Sequence, residues 1–228
     1  MNNERPRQLE GSRQRTDRSK ADSRERIIEA AARLFEAGGF GGTTLNSICA
    51  EAGVGKSALY QAFPDKWAIA GALLDETLIV EGVPETEVAL QEIYDTGIIL
   101  AYRITREVAI RAALRLSIEF NARDTYGTPW PAWIDVDTKQ LTRAQTNGEI
   151  GPDVDVSATA YQIAGAWAGI TLTYHAVHGN LEDLEEHISR MYKNLFIAIA
   201  ATPRCLVQLD LAADRGRRLL NPHPLSGT

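Results

Sequence analysis

A chain of 228 residues, 44% of them hydrophobic, can bury one large core or two small ones, and a net charge of −6 excludes a protein that is basic throughout. No apolar run reaches the roughly 18 residues of a membrane helix, and the Arg-rich start lacks the apolar segment of a signal peptide, so a cytoplasmic protein without a membrane span is expected. Charge is unevenly placed: residues 1–67 carry 11 Lys/Arg against 9 Asp/Glu, and residues 68–228 carry 13 against 21.

Residues 1–22 are polar and show no periodic apolar positions, which predicts a flexible basic arm. Two roles stand for Arg13, Arg15, Arg18 and Lys20, a solvated tail or contacts to DNA phosphates or a minor groove. A helix is predicted over 23–37, where Ile27, Ile28, Ala31, Leu34 and Phe35 form an apolar stripe that Gly38-Gly39 ends. Phe40 is placed to close a small core.

The next stretch reads as two short helices around a tight turn. Leu45, Ile48 and Cys49 recur at helical spacing behind Thr44, a natural N-cap, and Gly53 supplies the positive φ at which that helix stops. Val54 plugs the corner. A second helix begins near Gly55, with Leu59 and Phe63 inward, and halts before Pro64. Lys56, Ser57, Ala58, Tyr60 and Gln61 then face outward, a small, polar and cationic set of the kind that a helix in a major groove presents. A fourth helix starts at Asp65-Lys66 and runs toward Val80, which places Lys66 at a helix N-terminus beside the reading helix, where a phosphate can be met.

From Pro84 onward helical patterns alternate with short breaks and sustained strand alternation is absent, so the fold class is all-α. Helices are predicted at about 85–106, 107–122, 131–147, 155–178 and 181–201, with a weaker one near 204–219. The domains expected are the arm, a helix-turn-helix head over 23–67, and a helical ligand-binding and dimerisation domain over 68–228. Trp130 and Trp133 cluster at a Pro-restricted helix start, where large aromatics either fill core or wall a pocket for a small apolar ligand. In the 155–178 helix, Ala158, Ala160, Ala164, Gly165, Ala166, Ala168 and Gly169 allow close helix approach. With Ile188, Met191, Leu195, Phe196 and Ile199 of the following helix they suit either internal packing or a four-helix contact between two copies.

The run Gly53-Val54-x-Lys56-x-x-Leu59-Tyr60-x-x-Phe63 followed by Lys66, preceded by Ala31-Ala32-x-Leu34-Phe35-x-x-x-Gly39-Phe40-x-x-Thr43-Thr44, resembles the signature of the TetR family of one-component regulators. The resemblance covers about Arg24 to Ala72. It implies a homodimer that binds a palindromic operator in double-stranded DNA, with contacts from Thr43, Thr44, Lys56, Ser57, Ala58, Tyr60, Gln61 and Lys66. Two positions depart from the family: Gly55 stands where Ser or Thr is usual, and Ala62 replaces an aromatic phosphate contact.

Further along, Arg111-x-x-x-Arg115-Leu116, Pro131-x-x-Trp133, Ala144-x-x-x-Gly148-x-Ile150, Asp153-x-Asp155 and Trp167-x-Gly169 resemble the γ-butyrolactone receptor branch of that family. The branch implies release of DNA on binding a diffusible lactone-type effector. By that resemblance Trp133 lines the pocket, and Leu78, Ser117 and Ile170 occupy positions that elsewhere grip the signal through polar groups; Trp130 and Trp167 are further candidate ligand contacts. Function is therefore expected to be ligand-responsive repression. The alternative is a receptor-like binding protein with weak DNA affinity that answers another ligand.

Other signals lead elsewhere less directly. His175, His178 and His187 lack a completing ligand set, so no metal or other cofactor is expected. Cys49 and Cys205 are too few and too far apart in sequence to predict a structural disulfide. No nucleophile elbow or ordered triad marks an enzyme.

Overall fold

A computed structural model describes residues 5–77, 82–119 and 121–221. It is built of α-helices, and among the described residues the one β-like feature is an isolated bridge between Ile150 and Ala200. The chain divides into two compact units, residues 1–77 with 108–128 and residues 78–107 with 129–228. The expected boundary at 67/68 thus differs from the packing in two ways: the fourth helix stays with the first unit, and a later stretch returns to it.

The first unit comprises α1 (Arg5–Gly42), α2 (Leu45–Ala52), α3 (Lys56–Ala62), α4 (Lys66–Thr77), α6 (Val108–Ser117) and α7 (Ala122–Thr125). In α1 the helix begins at Arg5 rather than near Ser23, where the apolar stripe had placed its start. Pro6 lies in its first turn, where a missing N–H is harmless, and the residues that follow include the good helix formers Gln8, Leu9 and Glu10. Its helical conformation breaks at Gly39 (φ 68°, ψ −176°), as the glycine pair predicts. A side chain there would run into the Glu119 carboxylate.

Ile27, Ile28, Ala31 and Phe35 of α1, Ile48, Leu59 and Phe63 of the next two helices, Ile69 and Leu73 of α4, and Ala112 and Leu116 of α6 form one core. Phe40 closes it, stacked on Phe35 at 5.9 Å and tilted against Tyr126 at 4.8 Å. Helix α6 also grips the C-terminal end of α1. Arg115 donates to the carbonyls of Glu36 and Ala37 at 2.6 and 3.1 Å, Arg111 pairs with the Glu36 carboxylate, and Glu119 accepts the Phe40 N–H at 2.8 Å. Cations at a helix C-terminus satisfy carbonyls that have no partner within the helix.

The second unit comprises α5 (Ala89–Ile104), α8 (Trp130–Thr146), α9 (Val156–His178), α10 (Leu184–Ile199), α11 (Arg204–Val207) and α12 (Arg215–Leu220). Here α5 packs on α8, α10 and α12, and α9 packs on α8 and α10. The start of α5 has no side-chain cap of its own; the buried Glu149 carboxylate accepts the N–H groups of Ala89 and Leu90 at 3.0 and 2.9 Å. At the chain's end, Arg215 forks onto the fully buried Asp95 at 2.7 Å and reaches Asp210 at 2.9 Å, which fastens α12 to α5.

Candidate DNA-reading and ligand-binding sites

Local chemistry builds the reading head. The Thr44 hydroxyl accepts the Ser47 N–H at 3.0 Å while the Ser47 hydroxyl accepts the Thr44 N–H at 3.0 Å, a reciprocal cap that starts α2 where the sequence places it. Gly53 ends α2 in the left-handed region (φ 63°, ψ 36°), and Val54 follows with its N–H on the Cys49 carbonyl at 3.1 Å. Leu59 and Phe63 bury themselves, so α3 turns Lys56, Ser57, Tyr60 and Gln61 to solvent, with Ala58 half-buried among them. Tyr60 is 55% exposed, a large aromatic left in water on a helix whose other face is fully sealed.

Two of the expected DNA contacts sit differently. Thr43 is buried, and its hydroxyl donates to the Gly39 carbonyl at 2.9 Å. Lys66 is half-buried: its ammonium donates to the Phe40 and Thr43 carbonyls, both at 2.7 Å, and lies 4.1 Å from the centre of the Phe40 ring. Burial lowers its pKa, against the opposing pull of Glu119. Both residues therefore hold the α1–α2 turn in place. A cation that already serves two carbonyls and a ring has little left for a phosphate. Thr44 stays exposed, with its hydroxyl engaged in the cap.

In the second unit, Trp130, Trp133, Asp137, Leu141 and Ala144 recur at three- and four-residue spacing along one face of α8. Leu141 and Ala144 are fully buried, and Asp137, in the same stripe, is 7% exposed. Trp167 of α9 is buried with its indole N–H on the Gly97 carbonyl at 3.2 Å, and Ile170 is half-buried one turn away. Tyr192 of α10 packs edge-on to Tyr94 at 5.7 Å and lies so close to Gly97 that a side chain there would overlap its ring. Its phenol pKa is pushed well up, first by burial and then by the nearby Asp137 carboxylate. Gly97, Asp137, Trp167 and Tyr192 thus converge from four helices.

Ser117 belongs to the first unit and turns its hydroxyl onto the Leu114 carbonyl at 2.7 Å, and Leu78 lies outside the described residues.

Residues 27–73 match the sequence profile described as bacterial regulatory proteins of the tetR family. The crystal structure of full-length TylP, a TetR regulator from Streptomyces fradiae, superposes with a TM-score of 0.80 at 31% identity, covering 89% of this chain and 97% of that one. The chain belongs to the TetR family. The A-factor receptor protein of Streptomyces griseus is 32% identical over 174 residues, 76% of this chain and 62% of that protein. CprB of Streptomyces coelicolor, solved in complex with its operator sequence, matches at 27% identity over 85% of this chain and 97% of that chain, with a TM-score of 0.68. This protein is thus a TetR-family transcriptional regulator whose relatives include the A-factor receptor protein.

Within this TetR-family chain, the Arg111 and Arg115 of the receptor-branch pattern serve the end of α1. Sequence reading overlooked Asp137. Its signal was available: a carboxylate at the third place of the stripe 130-133-137-141-144, where the pattern calls for an apolar residue. Among the described residues no group of three His, Cys, Asp or Glu gathers to hold a metal, and no helix is long and apolar enough to cross a membrane.

Proposed function

We propose that this TetR-family regulator is a cytoplasmic homodimeric repressor that reads a palindromic operator through α3 and lets go of it when a small molecule enters the second unit. The observation that carries this reading is the exposed Lys56, Ser57, Tyr60 and Gln61 face of α3, backed by fully buried Leu59. Such a face costs the monomer nothing to present and needs a groove to complete it. Support for dimerisation comes from α9 and α10: Ala158, Tyr161, Gly165 and Gly169 are exposed along α9, and Ile197 is exposed on α10, while Ala160 and Ala164 pack inward.

The interior between α5, α8, α9 and α10, with Trp133 half-buried at one end, is the ligand chamber in this reading. The effector would be a compact, largely apolar molecule of the γ-butyrolactone type or another of similar bulk. Its binding would favour one of two conformations. A coupling of about 1–3 kcal/mol, roughly 5–150-fold in operator affinity, is enough for control.

The test is fluorescence anisotropy with labelled DNA from upstream of the protein's own gene. Lys56→Ala and Tyr60→Ala should each weaken binding by about 1–3 kcal/mol, roughly ten- to a hundred-fold, with the melting temperature unchanged. Trp133→Ala should leave DNA binding intact and blunt the ligand response. Wild-type affinity that is equal for all duplexes and simply falls with salt would sink the repressor reading and favour the second one, a binding protein with a weakened head. The uncapped start of α3 at Gly55 is the feature on which that second reading stands.

A further inference from the structure

Asp137 is buried in an apolar stripe, yet among the described residues its carboxylate has no hydrogen-bond or ion-pair partner, and burial alone raises its pKa to about 7. The same helix also holds Arg143, whose Nε is buried without a hydrogen-bond partner among the described residues. Arg143, six residues on along α8, pairs with Glu92 at 2.8 Å, and Glu92 also accepts from Gln140 and the Thr86 N–H. Tyr192 from α10 feels the carboxylate, and Tyr94 from α5 packs against Tyr192 with its hydroxyl on the Ala212 carbonyl at 2.9 Å. Among the described residues the indole N–H of Trp133, one turn before Asp137 on the same face, also has no partner.

An ionised carboxylate without a partner in such a place destabilises the fold, whereas an uncharged side chain there would avoid the cost of burying a charge. Its retention makes sense if something from outside supplies the missing charge. We infer that Asp137 is the counter-ion for a protonated amine on the effector, with the faces of Trp133 and Tyr192 completing a cation-binding wall. This rests on the chamber reading above and narrows it to a ligand class. A neutral lactone or ketone requires only a donor, which the Trp133 indole already offers; an ammonium requires a carboxylate and gains from aromatic faces beside it. The stripe itself supplies the rest of the specificity, because Trp130 and Leu141 flank the polar point with apolar surface. An amine carried on an apolar body is the molecule that fits.

The experiment is a titration of the full chain, followed by tryptophan fluorescence and calorimetry, with three probes matched in bulk: decylamine, 1-decanol and γ-decalactone. Decylamine should bind at least about tenfold more tightly than either neutral probe, and Asp137→Asn should erase that preference while the neutral probes bind as well as before or better. Equal or tighter binding of 1-decanol or γ-decalactone to the native protein overturns the amine assignment and leaves the chamber standing. An unchanged preference in Asp137→Asn overturns it too. If none of the probes binds, the chamber itself is refuted. The native amine-to-alcohol ratio needs no variant, so a poorly folding substitution would not rescue the proposal.

Discussion

Asp137 and Lys66 are ionisable groups held by the fold in opposite ways, and each makes a prediction at the level of a single side chain. The Asp137 carboxyl titrates near 7 in the folded chain against an ordinary value of 3.8, because burial disfavours the anion. The folded state therefore holds a proton that the unfolded state has already released. Stability is fully present below the unfolded value, is lost as pH rises from there, and levels off above about 7, with a total loss on the order of 4 kcal/mol. Asp137→Asn should raise the melting temperature at pH 8 by about 5–15 °C and by less than half of that at pH 5. A gain independent of pH in thermal scans would show that the carboxylate is not desolvated. Lys66 contributes the reverse lesson, a cation placed by its contacts with Phe40 and Thr43. Lys66→Ala should destabilise the chain by about 2–4 kcal/mol in urea unfolding, whereas exposed Lys56→Ala should leave the midpoint where it was and weaken only the DNA complex. Identical unfolding curves for both variants would return Lys66 to the DNA surface.

Among the elements, α3 is the shortest that the proposed function depends on, and its weakest point is its start. Gly55 has extended backbone (φ −77°, ψ 158°) that any residue can adopt, no side-chain bond caps the helix, and a side chain at that position would meet open space. Gly55→Ser should therefore stabilise α3 by a few tenths to about 1 kcal/mol, through a hydroxyl on the exposed N–H groups and a less flexible unfolded chain. Hydrogen exchange of the α3 amides should slow accordingly, and operator affinity should rise if fraying limits it. The boundaries of α2, α3 and α9 were legible because each is written locally, in Thr44 with Ser47, in Gly53, in Pro64, and in Asp155, whose carboxylate accepts the Ala158 N–H at 2.9 Å. What was not legible depends on residues far away in sequence. Nothing near Lys66 announces that its partners lie 26 and 23 residues upstream, and nothing in α6 says that Arg115 will seal the end of α1, 78 and 79 residues before it. The helical start at Arg5 escaped notice for a different reason. A polar helix has no apolar stripe to betray it.

At the scale of the whole molecule, the division into two units changes where a signal must pass. The chain crosses from one unit to the other after Thr77, after Glu107 and after Thr128, so α4 is the last helix before the first crossing and α6 the first helix after the second. Because α6 is tied to α1 through Arg111, Arg115 and Glu119, a shift of α6 has a rigid handle on the head. In the proposed reading, a two-fold dimer would turn such a shift into loss of operator binding, since one head alone has no spacing to get wrong. The outward face of α9 is where that dimer can be tested without disturbing the protomer. A side chain built at Gly165 meets nothing within 4 Å, and Gly165 lies one turn from Tyr161, which is 69% exposed. Gly165→Arg, in mid-helix, should leave the single chain as stable as before or slightly more so, since a residue other than glycine favours helix by up to about 1 kcal/mol. On a partner's matching face the same guanidinium would be buried without a counter-charge, twice per dimer by symmetry. Sedimentation should then show the native protein at twice the mass of the variant. Operator affinity should fall at least about tenfold, with the variant's circular dichroism and single-chain melting unchanged. A variant that sediments and binds DNA like the native protein would move the interface off this face of α9.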